Sequence, residues 1–389
     1  MFSLDPEVVH LNHGSFGACL RPVQRAQDQR RARLEGATMR YFVREWQGEL
    51  DAARAAVAAF VRADADGLVF VPNATTGVAT VLASLRLAPG DELLATDHTY
   101  RACRLALDRV AATAGAKVVI AELPWPAPSA AAVTAAIVGA ATPRTKLLLL
   151  DHITSATALV LDAAAIIAAL AARGIDTLVD GAHAPGQLDL DIGALGAAYY
   201  VANGHKWLCG AKGGAFLWAK ADRRAGLHPL VTSHGFAPSY GPANRFWAEH
   251  DWTGTHDPSP YLVLPEAIAI LDTAADGTRG RWAAVRARNH ALVTAGRARI
   301  ADRLGAGAMA PDALHGAMAV IPVQLPAGAT GIAVERQLLE AGWEVPVIDG
   351  PRGQALVRIS AHLYNHLAEY DGLAVALAAA GVTGARGQA

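Results

Sequence analysis

Seven short apolar segments, each the length of one strand, alternate with longer alanine- and leucine-rich segments between residues 68 and 219. Runs such as Leu147–Leu150 are apolar at every position, which is typical of strands covered on both faces. Strands that alternate with helices form a parallel sheet through right-handed crossovers. The pattern therefore predicts a large α/β domain over about residues 20–255. The predicted strands are Leu68–Val71, Glu92–Ala95, Lys117–Ala121, Lys146–Leu150, Thr177–Val179, Ala198–Val201 and Ala215–Trp218, and the helices between them are residues 76–86, 101–114, 129–141 and 162–173.

The pattern changes after residue 257, where two long helices are predicted at 261–275 and 281–304. The last residues, Thr383–Ala389, are predicted to be a frayed tail. Between them we expect a smaller α+β unit with a strand at 317–324, a helix at 331–341, strands at 343–347 and 355–360, and a helix at 366–380. We therefore divide the chain into an N-terminal arm (1–20) that contributes to the active site or small domain, a large domain (21–257), and interdomain helices with a small C-terminal domain (258–389).

The composition excludes several classes of protein. Hydrophobic residues make up 52% and charged residues 18% of the 389 residues, which excludes a mainly disordered chain. With 34 Lys and Arg against 35 Asp and Glu, the formal net charge is −1, so we expect no nucleic-acid partner. The least charged stretches, 123–143 and 315–334, contain prolines and polar residues, so we expect no membrane span. Three separated cysteines (Cys19, Cys103 and Cys209) and a start without a signal-peptide pattern favour a cytoplasmic protein.

Polar clusters follow five of the predicted strands, at the point where each strand ends. In an open parallel sheet, ligands bind beyond the carboxyl ends of the strands. We therefore expect a binding site formed by these clusters at one edge of the sheet. The clusters are Asn73–Gly77, Asp97–Tyr100, Asp151–Ser155, Asp180–His183 and Asn203–Lys206.

Three of these clusters each allow a structural and a chemical interpretation. Lys206 is either a surface loop lysine or a Schiff-base nucleophile whose proton is lost more easily beside His205 and Trp207. Asp180 either caps a turn or pairs with a pyridinium nitrogen, because an unpaired carboxylate at the end of an apolar strand is costly. Asn73–Gly77 either caps a helix or binds phosphate at the helix start. Neither a Walker pattern nor GxGxxG follows the first strand, which argues against a nucleoside phosphate.

Four segments carry a resemblance to a known family. The run Val179–Gly186, followed by Gly204-His205-Lys206, resembles class V aminotransferase-fold enzymes that use pyridoxal 5′-phosphate (PLP). Leu11–Gly17 and Asp151–Leu159 are similar to the isopenicillin N epimerase-like subgroup of that class. The resemblance extends from about residue 10 to 375. It implies a PLP-dependent transferase fold (fold type I), in which a large PLP-binding domain with a mainly parallel seven-stranded sheet joins a smaller α+β C-terminal domain.

The resemblance also implies roles for individual residues. Lys206 binds PLP covalently, Asp180 pairs with the ring nitrogen, and His98 stacks on the ring, with Tyr100 as the other aromatic candidate. These three, Lys206, Asp180 and His98, are the implied catalytic residues. The other implied cofactor contacts are His183 and Ser155 at the ring hydroxyl, where many relatives carry Gln and Asn, Ala74, Thr75 and His205 at the phosphate, and Thr255 from the neighbouring subunit.

The substrate is implied to be an amino acid held by Arg358. This residue lies in Val357–Ser360, which resembles the small-domain motif that binds the α-carboxylate, and a guanidinium suits bidentate contact with a carboxylate. Without the motif, Arg358 is an exposed arginine at a strand end. Asn12 and His13 are the predicted substrate-binding residues of the N-terminal arm. Thr255 implies a homodimer with shared active sites.

The reaction is left open among three routes. Class V cysteine desulfurases need a cysteine in the small domain, and no cysteine follows Cys209, which argues against that activity. Epimerisation is the first interpretation, although no second base is identified. Elimination at a C–S bond, of the cysteine-conjugate or sulfoxide type known from ergothioneine synthesis, needs only Lys206 and is the alternative, together with transamination.

A metal-dependent hydrolase is the remote alternative, whereas the main interpretation needs no metal. The residues that would ligate zinc are His98, His152, His183, His205, Asp97, Asp151 and Asp180. The substrate pocket is not defined by the sequence. Its candidate lining residues, each equally plausible in packing or at the surface, are Arg44, Trp46, His13, His234, Phe236 and Trp247.

Overall fold

A computed structural model describes residues 1–237, 239–273, 277 and 279–386. All seven predicted strands of the large sheet are present, and their ends lie within two residues of the predicted ends. In chain order the strands are β1 (Val9–His10), β2 (Leu68–Val71), β3 (Glu92–Thr96), β4 (Lys117–Ala121), β5 (Thr145–Asp151), β6 (Asp176–Asp180), β7 (Tyr199–Asn203), β8 (Ala215–Ala219), β9 (Met318–Gln324), β10 (Trp343–Glu344), β11 (Val347–Asp349), β12 (Ala355–Ser360) and β13 (Thr383–Gly384).

The helices fall between these strands. None of those described has the length and apolar character needed to cross a bilayer. They are α1 (His13–Phe16), α2 (Arg21–Gly36), α3 (Thr38–Arg40), α4 (Trp46–Phe60), α5 (Ala74–Ser84), α6 (Arg101–Ala114), α7 (Ala130–Ala140), α8 (Ala163–Ala171), α9 (Ile192–Leu195), α10 (Arg245–Asp251), α11 (Ser259–Leu262), α12 (Leu264–Asp272), α13 (Trp282–Leu304), α14 (Gly331–Glu340) and α15 (Leu367–Ala379), with a π-helical turn at Tyr41–Glu45 before α4.

The large sheet has the strand order β2-β8-β7-β6-β5-β3-β4. Strand β8 runs antiparallel to both of its neighbours, and the other four pairings are parallel. Apolar clusters pack on both faces of the sheet, which explains why its strands lack alternation. The predicted mainly parallel sheet is thus confirmed. Because six strands share one direction, the polar clusters at their carboxyl ends meet at one edge.

A second, antiparallel sheet has the order β11-β12-β9-β13 and packs its own apolar cluster against α13 and α15. The N-terminal arm joins this part of the chain through β1, which pairs with β10 in parallel register from Val9 to Trp343. The packing of the arm thus links the two ends of the sequence. The division into domains at residues 20 and 257 stays a prediction.

Three sequence expectations in this region were wrong. The single strand expected at 343–347 is two strands, β10 and β11, separated at Pro346, which has no N–H for a ladder hydrogen bond. The helix expected at 261–275 is two helices that meet at Val263, and its residues 274 and 275 lie outside the described residues. The expected frayed tail instead pairs with β9 through Thr383 and Gly384, while its residues 387–389 lie outside the described part.

Helix α5 is fixed at its start against the strands that carry the polar clusters. The side chain of Asn73 caps the helix by accepting a hydrogen bond from the Thr76 amide at 2.8 Å. At Gly77 the helix approaches β7 so closely that a Cβ atom would lie 2.8 Å from Cγ1 of Val201. This close approach places the N-terminus of α5 beside the carboxyl end of β7.

Candidate active site

A cavity of about 140 Å³ lies at the carboxyl ends of β5, β6 and β7 and at the start of α5. It brings together seven of the predicted site residues, which come from four separate polar clusters. They are Ala74, Thr75, Ser155, Asp180, His183, His205 and Lys206. The other residues that line it are Ser15, Phe16, Asn73, Tyr100, Asp151, Ile153, Ala182 and Asn203.

The amine of Lys206 is buried and lies 3.1 Å from Nε2 of His183. Burial and the nearby charge of Arg358 lower the pKa of Lys206 to about 8, although Asp180 acts in the opposite direction. On its other side, Nδ1 of His183 accepts a hydrogen bond from the indole N–H of Trp207 at 3.3 Å. Burial lowers the pKa of His183, so its neutral ring carries the proton on Nε2, facing Lys206. The amine therefore loses its proton easily and is suited to act as a nucleophile or a base.

Two buried carboxyl groups, Asp151 and Asp180, lie side by side at the ends of β5 and β6. Asp180 accepts hydrogen bonds from the amide of Ala182 at 3.0 Å and from the thiol of Cys103 at 3.3 Å. Asp151 accepts one from the amide of Tyr100 at 3.2 Å. Burial raises the pKa of both carboxyl groups, and the charge of Asp180 raises that of Asp151 further. Such a site suits a partner that carries a proton on nitrogen.

The N-terminus of α5 lines the cavity with Ala74 and Thr75. The amide of Ala74 donates to Oδ1 of Asn203 at 2.9 Å, which ties the helix start to the end of β7. His205 lies nearby, with its Nδ1 buried and without a hydrogen-bond partner in the part of the chain that the structure describes. The positive end of the helix dipole favours an anion here. Burial lowers the pKa of His205 to about 4, so its ring is neutral and can donate to an anion through the nitrogen that carries the proton.

Arg358 lies on β12 and is 6% exposed, which rules out the exposed strand-end arginine considered above. Its Nη1 donates to the carbonyl oxygen of Ser155 at 2.6 Å, and its Nη2 donates to Oγ of Ser15 at 2.8 Å and Oδ1 of Asn12 at 3.3 Å. These acceptors are all neutral. Among the described residues, no carboxylate forms a salt bridge with this guanidinium, and burial lowers its pKa to about 10. A buried positive charge without a counter-ion is suited to bind an anion.

Five of the predicted residues do not line the cavity: Asn12, His13, His98, Thr255 and Arg358. Asn12 and Arg358 lie directly behind it, hydrogen-bonded to Ser15 and Ser155 of its lining. Nδ1 of His98 lies 2.7 Å from Oγ1 of Thr157, and its ring packs edge-on against Trp125. Tyr100, two residues further along the same turn, lines the cavity instead. The turn after β3 therefore presents the second aromatic candidate to the site, and His98 belongs to the packing behind it.

His13 supports the backbone of Lys206 rather than the substrate cavity. Its Nε2 lies 3.1 Å from the carbonyl oxygen of Lys206, and its Nδ1 lies 3.0 Å from the hydroxyl of Tyr364. Its ring stacks on His362 with 4.2 Å between centroids. Since a carbonyl oxygen can only accept, Nε2 of His13 carries the proton and the Tyr364 hydroxyl donates to Nδ1.

Thr255 is not brought together with Lys206 within one chain. It lines a separate cavity of about 470 Å³, together with Trp46, which was among the pocket candidates. None of the remaining pocket candidates lines the cavity that contains Lys206. Those residues are Arg44, His234, Phe236 and Trp247.

Ser15, Phe16 and Asn203 line the cavity, although sequence reasoning did not assign them a role. Ser15 and Phe16 lie inside the Leu11–Gly17 run, and Asn203 is the last residue of β7. Their position in those segments was the sequence signal that could have identified all three as lining residues. The directions of Ser15 and Phe16 depend on the packing of the arm, and that of Asn203 on its hydrogen bond from the Ala74 amide, so none was accessible from the sequence.

The residues proposed for a zinc site do not converge. Among the described residues, the group of three or more potential ligand side chains whose atoms lie within 4.8 Å of one another is His13, Cys209 and His362. This group includes none of the seven residues of the hydrolase alternative. The sheet edge therefore does not form the metal centre that the hydrolase alternative requires.

Comparison with known proteins assigns the family. The family model "Aminotransferase class-V" matches residues 31–373. Isopenicillin N epimerase from Streptomyces clavuligerus is 36% identical over 385 residues, which cover 96% of this chain and 95% of that protein. A putative L-cysteine desulfhydrase from Oryza sativa subsp. japonica is 32% identical over 406 residues, which cover 94% of this chain and 82% of that protein.

Solved structures share the fold. The cystine C-S lyase C-DES, in complex with its product cysteine persulfide, superposes with a TM-score of 0.80 at 22% identity over 96% of this chain and 98% of that chain. A C-DES variant with the same TM-score carries glycine covalently linked to its PLP cofactor. The expected PLP-dependent transferase fold is thus confirmed. The chain belongs to the class V aminotransferase family and is a PLP-dependent enzyme.

Proposed function

We propose that this enzyme removes the α-proton of an amino acid or amino acid derivative and that epimerisation is the outcome. The observation that carries the proposal is the pairing of a buried amine of lowered pKa, Lys206, with a buried guanidinium that has no carboxylate partner among the described residues, Arg358. The first group can accept the α-proton, and the second can hold the α-carboxylate. The likeness to isopenicillin N epimerase over 96% of the chain supports the epimerase outcome.

The residues that line the cavity fit PLP. The amine of Lys206 would hold the aldehyde carbon, Asp180 the ring nitrogen and His183 the ring hydroxyl, while Tyr100 would cover one face of the ring in place of His98. The start of α5, with Ala74 and Thr75, and the unpartnered Nδ1 of His205 would hold the phosphate. When bound, PLP withdraws electrons from the substrate α-carbon.

Arg358 orients the substrate. Ser155, Ser15 and Asn12 accept hydrogen bonds from its Nη1 and Nη2 and so hold the guanidinium plane in one direction. A carboxylate that approaches this plane would displace some of these neutral acceptors and form charge-assisted hydrogen bonds, which are stronger, with a guanidinium that is already oriented. Ser155 thus accepts hydrogen bonds from Arg358 through its carbonyl and hydroxyl oxygens. This role is separate from the contact with the ring hydroxyl of PLP that the resemblance implies.

Lys206 moves the proton. Because burial lowers its pKa to about 8, roughly a tenth of the amine is neutral at pH 7 and able to accept a proton, a far larger share than for an ordinary lysine. The imidazole of His183 lies within hydrogen-bond distance and keeps the amine directed into the cavity. The charge of Arg358 disfavours a second positive charge on Lys206 and so supports its role as a base.

We further propose a homodimer in which Thr255 reaches the active site of the partner subunit. Thr255 lies in two adjoining grooves, apart from the cavity of its own chain, and the exposed apolar side chains of Met39, Val43, Leu230 and Val231 line the same grooves. A second copy of the chain would cover this apolar surface. Three free cysteines support a cytoplasmic location.

Elimination at a C–S bond is the second candidate. Lys206 carries the only amine among the described residues that line the cavity, and elimination needs a single base. The rice relative, whose name is putative L-cysteine desulfhydrase, supports the same route. Transamination remains the third outcome to be measured.

One assay separates these outcomes. We would incubate the purified enzyme with D- and L-amino acids and cysteine conjugates and measure α-deuterium exchange, stereochemical inversion, pyruvate release and keto-acid formation. Exchange with inversion supports epimerisation. Pyruvate release from a cysteine conjugate would show C–S elimination instead, and formation of the keto acid of the substrate would show transamination instead. Lys206→Ala is the matched control, which should lose the covalent attachment of PLP to the chain and all three activities. Covalent attachment of PLP to the chain of this variant would contradict the assigned role of Lys206.

A further inference from the structure

The floor of the cavity contains two carboxyl groups, although pairing with one ring nitrogen requires only one. Asp151 and Asp180 occupy paired positions at the ends of the neighbouring parallel strands β5 and β6. Side chains at paired positions of adjacent strands lie on the same face of a sheet. Both residues are buried and both line the cavity. Two negative charges at this place would repel each other with little screening by water.

The hydrogen bonds of the two groups are unequal. Both oxygens of Asp180 accept hydrogen bonds, Oδ1 from the amide of Ala182 and Oδ2 from the thiol of Cys103. Oδ1 of Asp151 accepts from the amide of Tyr100, but its Oδ2 is buried without a partner within the described residues. A buried carboxylate oxygen without a donor is costly, whereas a protonated carboxyl group is not charged. The negative charge is therefore best placed on Asp180.

The surroundings support the same distribution. The amine of Lys206 faces Asp180 and favours its ionised form. Among the described residues, no charged donor faces Asp151, which has the Tyr100 amide from the start of α6, the Thr99 hydroxyl and Asp180 as its neighbours. Burial raises the pKa of the Cys103 thiol, so this group stays a donor to Asp180 and adds no charge. The next residue, His152, is turned to the hydroxyl of Tyr200.

We propose that Asp151 is a positioning residue that holds a proton beside Asp180, so that the two carboxyl groups together carry a single negative charge. This inference rests on the proposed contact between Asp180 and the ring nitrogen of PLP. One negative charge matches one protonated ring nitrogen, whereas two would leave an uncompensated charge in the interior. Asp151 thereby keeps the charge of the site fixed at the value that Asp180 alone would supply.

Infrared difference spectra of the holoenzyme test the proposal. The wild-type spectrum minus that of Asp151→Asn, both at neutral pH, should contain the C=O stretch of a protonated carboxyl group. Asp28→Asn, which changes an exposed carboxylate, is the matched control and should leave that band unchanged. The dissociation constant of PLP should stay within about twofold of wild type in Asp151→Asn, since an amide is neutral like a protonated acid.

Two results would overturn the proposal. One is a wild-type spectrum in which no protonated carboxyl band depends on residue 151. The other is a loss of PLP affinity of about tenfold or more in Asp151→Asn, the change expected when a nearby ionised carboxylate is removed. If the asparagine variant does not fold, Asp151→Ser replaces it, because a serine hydroxyl also accepts from the Tyr100 amide. Failure of the wild-type protein to bind PLP would instead contradict the proposed function, which keeps the two failures distinct.

Discussion

Two buried arginines in this enzyme differ in how their positive charge is compensated. Arg54 on α4 is 1% exposed, and its Nη2 lies 2.6 Å from the carboxylate of Asp251, which is also buried. Its guanidinium also lies 4.2 Å from the ring centroid of Trp247. Arg358 is nearly as deeply buried, but it donates only to neutral oxygens of the arm and of the turn after β5.

The difference separates a structural charge from a functional one. Removing a guanidinium from water has a similar cost at both places. At Arg54 the protein itself provides the compensating carboxylate, so the pair serves packing. At Arg358 the hydrogen-bond acceptors are all neutral, which is the basis of our proposal that a bound anion compensates this charge.

The largest expected effect is on stability at the first arginine. Arg54→Ala should lower the free energy of unfolding by about 3–5 kcal/mol, because it leaves the buried carboxylate of Asp251 without its partner. Denaturant unfolding followed by fluorescence measures this change. Arg358→Ala is the matched control and should lose less, since no buried carboxylate is left behind. An equal loss of unfolding free energy in both variants would contradict the proposed difference between the two arginines.

The next effect is on substrate binding at the second arginine. Arg358→Ala should raise KM about ten- to a hundredfold, because hydrogen bonds to charged groups contribute about 1.5–3 kcal/mol. Steady-state kinetics with the best substrate of the panel measures it, and Arg358→Lys should recover only part of the loss. The visible absorption of PLP should remain in both variants. If that absorption disappears while KM is unchanged, Arg358 has been given the wrong role.

The smallest expected effect is a shift in the pH dependence of PLP attachment. A neutral amine attacks the aldehyde, so the rate at which apoenzyme regains visible absorption should rise with pH, with a midpoint near the Lys206 pKa of about 8. Because the charge of Arg358 lowers this pKa, Arg358→Ala should move the midpoint to higher pH. Arg54→Ala should not move it. A midpoint that is the same in all three proteins would show that Arg358 does not influence Lys206.

Most of the large sheet could be predicted because strands buried on both faces are apolar without interruption. The direction of β8 depends on a different feature, the connection that precedes the strand. Only eleven residues separate Asn203 from Ala215, and they form no crossover helix, so β8 returns antiparallel to β7. The length of this loop was therefore the sequence signal for the antiparallel direction of β8. Pro346 was a visible sign of the break between β10 and β11, whereas the pairing of Thr383 depends on contacts with β9, which a linear pattern does not contain.

The site was predictable where a residue's position in a motif also fixes its direction. Asp180 is the last residue of β6 and Lys206 lies three residues after β7, and the structure brings both to the cavity. His98 and Tyr100 share one turn, where spacing cannot tell which ring faces the cavity. The direction of His13 depends on Tyr364 and on the Lys206 carbonyl, both far away in sequence. Such long-range contacts could not be read from the sequence, and the predicted contact of His13 with the substrate stays a prediction.

The contact between the N-terminal arm and Arg358 has a consequence for synthesis of the enzyme. Asn12 and Arg358 are 346 positions apart, and Ser15 and Arg358 are 343 positions apart. Since the ribosome releases the N-terminus first, Asn12 and Ser15 emerge long before Arg358. A translation product that stops before β12 can contain Lys206 and Asp180 but lacks the guanidinium that we propose to hold the α-carboxylate.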